Sequence, residues 1–202
     1  MDSSSELYRN ILEFAHSTPS WVQQLMELWT EAGLLLFAVL FVLVWWRART
    51  ASAQAMALAL IAPLGTAIAY VFSEVLKSVI HEERPCRAVA GAMKPLIDCP
   101  APGDWSFPSN HSIIAAAAAV GLSLAMVRLV WLTVPVAVLM AFSRVFVGVH
   151  YPHDVIVGLL LGALIGLLVV EGLTRPVRSL VETARASDIS VAAWFAGPGT
   201  RN

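Results

Sequence analysis

The chain has 202 residues, of which 58% are hydrophobic and only 13% charged, so it has too little polar surface to cover a soluble globule of this size. Its net charge of −1 lacks the basic excess that nucleic-acid binding requires, which excludes that class of partner. The composition therefore predicts an all-α fold, a polytopic membrane bundle of five to six helices.

The first 30 residues predict an amphipathic hairpin that lies in the membrane interface. Apolar residues from Leu7 onward alternate with charged ones, and Thr18-Pro19 is typical of the start of a second helical piece that ends at Trp29. The opening residues have no basic segment of the kind that begins a cleaved signal peptide. We therefore predict an interfacial segment 1–30, a membrane-embedded domain 31–174 and a cytoplasmic tail 175–202.

Five apolar stretches are candidates to cross the membrane, since a helical span needs about 20 apolar residues. Two contain no Asp, Glu, Lys or Arg over the needed length, and three reach it only by including flanking polar residues. In chain order the five are 32–46, 50–73, 105–127, 129–143 and 155–170. In the last of these, Gly158, Gly162 and Gly166 share one helical face, which predicts close helix packing.

The distribution of basic residues indicates which way the helices face. With the amino end outside, seven Lys and Arg residues lie on the cytoplasmic side and six on the outer side. Three of the outer six, Lys77, Arg84 and Arg144, belong to clusters with a functional reason to be there, and without them the count is seven against three. In this orientation the polar clusters 77–85, 107–112 and 143–154 all lie at the outer face of the cell membrane.

The basic residues of these clusters predict a phosphate pocket. If the chain stays helical beyond the second span, Lys77, His81 and Arg84 share one face, and Pro85 ends the helix. Arg144 adds a third fixed cation from another cluster. A carboxylate is an alternative ligand, and each cation taken singly is equally typical of an anchor to lipid headgroups.

Two prolines predict helix starts in the same region. Pro108 and Pro152 each suit the first position of a new helix, so residues 109–111 and 153–154 would lie in first turns. The free N–H groups of such turns favour an anion. Two helix amino ends at one membrane face therefore support the prediction of phosphate binding.

Two histidines add the groups that a reaction needs. His150 and Asp154 are four residues apart, so the carboxylate can accept one ring N–H and leave the other nitrogen free to attack phosphorus. His111 can then protonate the departing oxygen and later take a proton from water. We expect the two remaining histidines of the clusters, His81 and His153, to stay outside this chemistry.

A metal site is the alternative use of the same residues. His150 and Asp154 would then share a metal with His111, His153 and one of two glutamates, Glu82 or Glu83. Hard carboxylate ligands are few in the clusters, however, and the neighbouring cations repel metals. The sequence therefore predicts a site with no metal and no cofactor.

The three clusters resemble the signature of the type 2 phosphatidic acid phosphatase superfamily. That signature is Lys, six residues, Arg-Pro; then Pro-Ser-Gly-His; then Ser-Arg, five residues, His, three residues, Asp. The matching positions here are Lys77, Arg84, Pro85, Pro108, Ser109, His111, Ser143, Arg144, His150 and Asp154. The departure is Asn110, which stands where the family usually has glycine.

The resemblance implies metal-independent hydrolysis of a phosphomonoester or diphosphate through a phosphohistidine. It implies that His150 is the nucleophile, His111 the acid and Asp154 the partner of His150. The phosphate would be bound by the remaining polar residues of the motifs, which are Lys77, Arg84, Ser109, Asn110 and Arg144.

The small size, the amphipathic amino end and the outward-facing site look most like bacterial undecaprenyl pyrophosphate phosphatases of this superfamily. That resemblance implies removal of one phosphate from a polyprenyl diphosphate in the membrane. The alternatives are a lipid-linked phosphotransferase, a phosphatase for phosphatidic acid or phosphatidylglycerophosphate, and a non-enzymatic lipid-phosphate transporter.

Both cysteines, Cys86 and Cys99, lie in the outer loop 85–107. If this loop faces an oxidising compartment, they form a disulfide that stiffens a lid over the site; the alternative is a pair of free thiols.

Overall fold

The computed structural model describes residues 3–199, and within that range it contains helices and loops but no strand. In chain order the helices are α1 (Ser3–Ser17), α2 (Ser20–Ala32), α3 (Leu34–Ala48), α4 (Ala53–Lys77), α5 (Pro85–Ala88), α6 (Asn110–Ala125), α7 (Val130–Phe146), α8 (Pro152–Ala186) and α9 (Ser190–Ala196), with a 3-10 turn, Val127–Leu129, before α7. The prediction of an all-α membrane bundle is confirmed.

Within the described residues, three segments are long and apolar enough to cross a membrane by themselves: α4, α8, and α7 together with its 3-10 turn. Helices α2 and α3, bent by 47° at their junction, qualify as a fourth span when taken together, and α6 is apolar but shorter. The span predicted from residue 105 is wrong at its start, because the helix begins at Asn110. Residues 106–109 instead turn towards α8, where the Ser109 N–H donates to the Asp154 carbonyl.

Helix α8 is longer than the sequence indicated. It runs for 35 residues to Ala186, past the boundary predicted at residue 174, and includes Pro176. The first part of the predicted tail is therefore a continuation of this helix. Residues 1–2 and 200–202 of the predicted terminal segments, including Arg201 of the charge count, lie outside the described residues.

Helix α6 lies at the centre of the bundle, packed against α4, α7 and α8. Its run Ala115–Ala119 is buried, and small residues bring the neighbouring backbones close. A Cβ on Gly162 of α8 would lie 2.3 Å from the Ile113 carbonyl oxygen of α6. The predicted packing role of the α8 glycines is therefore confirmed.

The amino-terminal hairpin of α1 and α2 packs against α7 and also contacts α8 through α1. Tyr8 and Leu12 of α1 are fully buried, and the Tyr8 hydroxyl donates to the Gly148 carbonyl oxygen at 2.9 Å. On the opposite face Phe14 and Trp21 are exposed. The buried face of the hairpin therefore holds it beside residues 147–151, the loop that connects α7 to α8.

Candidate active site

His150 and Asp154 form a buried pair at the start of α8. His150 lies in the loop before the helix, and Asp154 lies in its first turn, which begins at Pro152 as predicted. His150 Nδ1 is 3.1 Å from Asp154 Oδ2. The same oxygen accepts hydrogen bonds from Ser106 Oγ at 2.5 Å and from the Tyr151 backbone N–H at 2.9 Å. These contacts hold the carboxylate against the imidazole.

Arg84 determines which nitrogen of His150 carries the proton. Its Nη1 lies 3.1 Å from His150 Nε2, and because a guanidinium only donates, Nε2 must accept. The proton of the neutral ring is therefore on Nδ1, facing Asp154. Burial lowers the pKa of His150 to about 3, since it outweighs the opposing effect of the hydrogen bond that Nδ1 donates to Asp154. The ring is thus a neutral imidazole whose free lone pair faces a cation.

Lys77 and Arg84 come together, but not on one helix as the sequence predicted. Helix α4 ends at Lys77, residues 78–84 are not helical, and Pro85 begins α5 rather than ending a helix. The residue before a proline favours extended backbone, and Arg84 has φ −66° and ψ 143°. Both cations instead meet one carboxylate: Asp104 Oδ1 is 2.8 Å from Arg84 Nη2 and 3.6 Å from Lys77 Nζ.

Asp104, in the outer loop 85–107, belongs to this cluster although it stands at none of the motif positions. Burial alone would raise its pKa, but the hydrogen bond and charge of Arg84, with the charge of Lys77, outweigh burial and hold the pKa below its usual value. Asp104 is therefore ionised, and it neutralises part of the positive charge of the two cations.

Arg144 of α7 is held by the amino-terminal hairpin. Its Nη1 donates to Thr30 Oγ1 at 2.8 Å and lies 3.9 Å from Glu31 Oε1. Thr30 is fully buried and also accepts from Ser143 Oγ at 3.2 Å. Arg144 Nε and Ser109 Oγ are buried and have no hydrogen-bond partner within residues 3–199. These two polar groups are therefore free to bind an anion.

The second motif begins α6. Ser109 is the N-cap and Asn110 the first helical residue, so the prediction that Pro108 takes the first position is wrong by two residues. The extended backbone of Ser109, with φ −72° and ψ 114°, explains the later start.

The Asn110 side chain, predicted to bind phosphate, contacts α4. Asn110 Oδ1 accepts from Ser73 Oγ at 2.6 Å, and its Nδ2 donates to Glu74 Oε1 at 2.6 Å. Both ends of the amide are therefore engaged by α4. Any contribution of Asn110 to phosphate binding then comes from its backbone.

His111 lies in the first turn of α6 and is partly buried. It interacts electrostatically with Arg144, Lys77 and Arg84. His150 interacts in the same way with Arg84 and Arg144. The structure therefore gathers both histidines of the predicted reaction around the same cations.

His153, predicted to be outside the site, contacts it directly. Its Nε2 is 2.9 Å from Glu82 Oε1 and 3.2 Å from Asp154 Oδ1, and its Nδ1 is 2.6 Å from Ser4 Oγ. In the described part of the chain, one group of potential metal ligands lies close together, and it consists of Glu82, His153 and Asp154. His111 and Glu83, named as ligands in the alternative metal site, are not in this group.

His81 lines a cavity of about 560 Å³ beside Lys77, and its ring centroid is 4.8 Å from that of Trp105. Glu74 and Asp104 also line this cavity. It is continuous with the candidate phosphate site because Lys77 and Asp104 belong to both. A ligand at Lys77 would therefore have room to extend past His81.

The outer loop is closed by a disulfide between Cys86 and Cys99. Arg87 ties the same loop together, since its guanidinium donates to the Glu83 carboxylate and the Pro100 carbonyl. The crosslink spans the segment that leads to Asp104. It therefore limits the positions that this carboxylate can take over the cations.

Comparisons with known proteins agree with the motifs. A sequence model of the PAP2 superfamily matches residues 58–177, which contain all three polar clusters. The chain is 40% identical over 121 residues to a Sulfolobus acidocaldarius protein named undecaprenyl-diphosphatase, a match that covers 59% of this chain. The chain spans only 57% of the length of that relative.

A second relative covers more of the molecule. Undecaprenyl-diphosphatase BcrC of Bacillus subtilis is 31% identical over 178 residues, which are 87% of this chain and 88% of that protein. Among solved structures, a transmembrane PAP2-type phosphatidylglycerolphosphate phosphatase from Bacillus subtilis has a TM-score of 0.63 and 25% identity, over 87% of this chain and 88% of that one. The chain belongs to the PAP2 superfamily, the phosphatase family whose three motifs its sequence resembles.

Proposed function

We propose that this protein is an integral membrane phosphatase that converts undecaprenyl diphosphate, or a related polyprenyl diphosphate, to the monophosphate through a phosphohistidine. The observation that carries the proposal is the position of His150 between Asp154 and Arg84. Nδ1 bonds to the carboxylate, and Nε2 faces a cation that can hold phosphate. The names of the two relatives support the diphosphate as substrate.

In the first step, the terminal phosphate lies among Lys77, Arg84 and Arg144. Nε2 of His150 forms a bond to phosphorus as the bond to the bridging oxygen breaks. His111 gives its proton to that oxygen, and the lipid monophosphate leaves. Asp154 stabilises the positive charge that develops on the imidazole ring, and the cations stabilise the equatorial oxygens.

In the second step, His111 takes a proton from water while the water oxygen bonds to phosphorus. The bond between phosphorus and Nε2 of His150 breaks, and inorganic phosphate leaves. His150 returns to the neutral form and His111 is again protonated, so that atoms and protons balance over the cycle. None of these steps requires a metal ion, because fixed side chains supply the positive charge.

The proposal includes the orientation of the site towards the outer face of the cell membrane. With the amino end outside, the count of basic residues is seven against three once the site cations are set aside. The disulfide between Cys86 and Cys99 supports the same orientation, because disulfides persist in oxidising compartments.

The test is phosphate release by purified protein in detergent with EDTA, using undecaprenyl diphosphate and, separately, phosphatidic acid. We expect release from the diphosphate, no loss in EDTA, and at least a hundredfold slower turnover in His150→Gln. Greater activity on phosphatidic acid would replace the proposed substrate. Activity that disappears in EDTA and returns with a divalent ion would overturn the metal-free mechanism.

A further inference from the structure

We infer that His153 is a positioning residue: the N–H edge of its ring lies against the buried second oxygen of Asp154 and so keeps this carboxylate ready to orient His150. The inference rests on the proposed roles of His150 and Asp154 and adds a residue that the family motifs do not contain.

The two oxygens of Asp154 have different surroundings. Oδ2 contacts His150, Ser106 and the backbone N–H of Tyr151. Oδ1 is buried and has no hydrogen-bond partner within residues 3–199, and His153 Nε2 lies 3.2 Å from it. The N–H at Nε2 is aligned with Glu82, so Oδ1 meets the positive end of this N–H dipole from the side rather than as an aligned hydrogen bond.

The contacts of the His153 ring place a proton on Nε2. Nε2 faces two carboxylates, those of Glu82 and Asp154, and Nδ1 faces the Ser4 hydroxyl oxygen. Carboxylate oxygens only accept, so Nε2 carries a proton that lies between the two acidic side chains, and Nδ1 shares a hydrogen bond with the Ser4 hydroxyl. His153 therefore brings an N–H dipole next to a carboxylate that is fully buried.

The ring is also held in place from both sides. It stacks on Tyr151, with centroids 5.2 Å apart and planes at 17°, and lies 6.0 Å from the Phe107 ring. Ser4 belongs to α1 and Glu82 to the loop after α4, so the ring joins two other elements to the start of α8. A ring fixed in this way can keep Asp154 in a single orientation.

The test compares His153→Phe, which keeps an aromatic ring without an N–H, with His153→Gln, which keeps an N–H donor. We expect kcat to fall about 10-fold to 100-fold in His153→Phe, with KM changed less than twofold, and to fall less in His153→Gln. Inhibition by orthovanadate should stay as in the wild type, because the phosphate-binding side chains are unchanged.

A double-mutant cycle separates positioning from a general structural role. In an Asp154→Asn background, His153→Phe should have little further effect on kcat, because the carboxylate on which it acts is gone. Glu82→Gln should also lower kcat. Glu83→Gln is the matched control: Glu83 pairs with Arg87, so the kcat of this variant should stay within twofold of the wild type. Thermal unfolding of each variant reports whether it is folded.

Wild-type kcat for His153→Phe, or equal losses with and without Asp154, would overturn the inference. Running the cycle on both undecaprenyl diphosphate and phosphatidic acid keeps the two proposals distinct. If only phosphatidic acid is hydrolysed, the proposed substrate fails while the cycle still tests His153.

Discussion

Arg84, a predicted phosphate-binding residue, holds the carboxylate of Asp104 from the protein's own outer loop, with Nη2 and Oδ1 2.8 Å apart. Lys77 lies 3.6 Å from the same oxygen. The side chains of both cations are less than 10% exposed, whereas that of Asp104 is 49% exposed. Asp104 also follows Gly103, which has a φ of +91°. A Cβ built at Gly103 would have no atom within 4 Å, so the backbone before Asp104 is not packed against other residues. The carboxylate is therefore the member of this cluster that can move aside.

Replacing Asp104 with asparagine should tighten the binding of phosphate analogues. An internal carboxylate on Arg84 and Lys77 must leave before an anion binds, so it lowers the apparent affinity by the fraction of time that it occupies them. We expect the inhibition constants for orthovanadate and inorganic phosphate to fall about tenfold in Asp104→Asn. Asp98→Asn, at an exposed position in the same loop, is the matched control. Unchanged constants in Asp104→Asn would show that the carboxylate does not compete with phosphate.

The buried His150 should make stability depend on pH. Its pKa is lowered to about 3 in the folded protein, chiefly by burial, and is about 6.5 in an unfolded chain. Between these values the unfolded chain binds a proton that the folded protein does not. The free energy of unfolding is therefore unaffected by this proton above about pH 6.5. Below about pH 6.5 it decreases by about 1.4 kcal/mol for each pH unit.

Thermal unfolding in detergent at pH 7 and pH 5 measures this effect. From pH 7 to pH 5 the free energy of unfolding should fall by about 2 kcal/mol more in the wild type than in His150→Gln, because the variant has no titrating group at this position. Equal losses in the two proteins would contradict a neutral, buried His150.

Thr30 should affect phosphate binding although it lies in the amino-terminal hairpin. Its hydroxyl accepts from Arg144 Nη1 at 2.8 Å, so Thr30→Val leaves a buried guanidinium N–H without this partner. A hydrogen bond to a charged group contributes about 1.5–3 kcal/mol, so we expect the vanadate inhibition constant to rise about tenfold or more. Thr30→Ser keeps the hydroxyl and should bind vanadate as the wild type does. A normal constant for Thr30→Val would mean that Arg144 is positioned by other contacts.

Gly162 and Gly172 of α8 form a matched pair for helix packing. A Cβ at Gly162 would lie 2.3 Å from the Ile113 carbonyl oxygen, whereas one at Gly172 would have no neighbour within 4 Å. Gly162→Ala should therefore destabilise the protein by about 1–3 kcal/mol, as overpacking does. Gly172→Ala should be neutral or slightly stabilising, because alanine favours helix. The thermal unfolding temperatures of the two variants in detergent test this contrast.

The helix boundaries show where sequence patterns were insufficient. The spacing of Lys77, His81 and Arg84 fits a helix, yet α4 ends at Lys77. Helical spacing indicates which residues would share a face, but hydrogen bonds to other elements decide where the helix ends. Here the Ser106 N–H donates to the Glu82 carbonyl, which ties the segment after α4 to the outer loop.

Residues with a partner far along the chain could not be predicted either. Thr30 contacts a residue 114 positions away, and Asp104 and His153 contact partners in other elements. None of these three residues lies at a position that the motifs specify. A hydroxyl or carboxylate in a loop or an interfacial helix has the same local pattern whether it faces solvent or a buried guanidinium.

The amino-acid sequence alone was enough to predict the membrane bundle, the family and the motif positions whose side chains are proposed to react and to bind phosphate. It could do so because apolar content and motif spacing are properties of the chain alone. The folded structure was needed to find that Asp104 lies on the two cations, that Thr30 contacts Arg144, and that His153 lies against Asp154. These contacts depend on how helices from distant segments pack, and packing is set by shape and burial across the whole bundle.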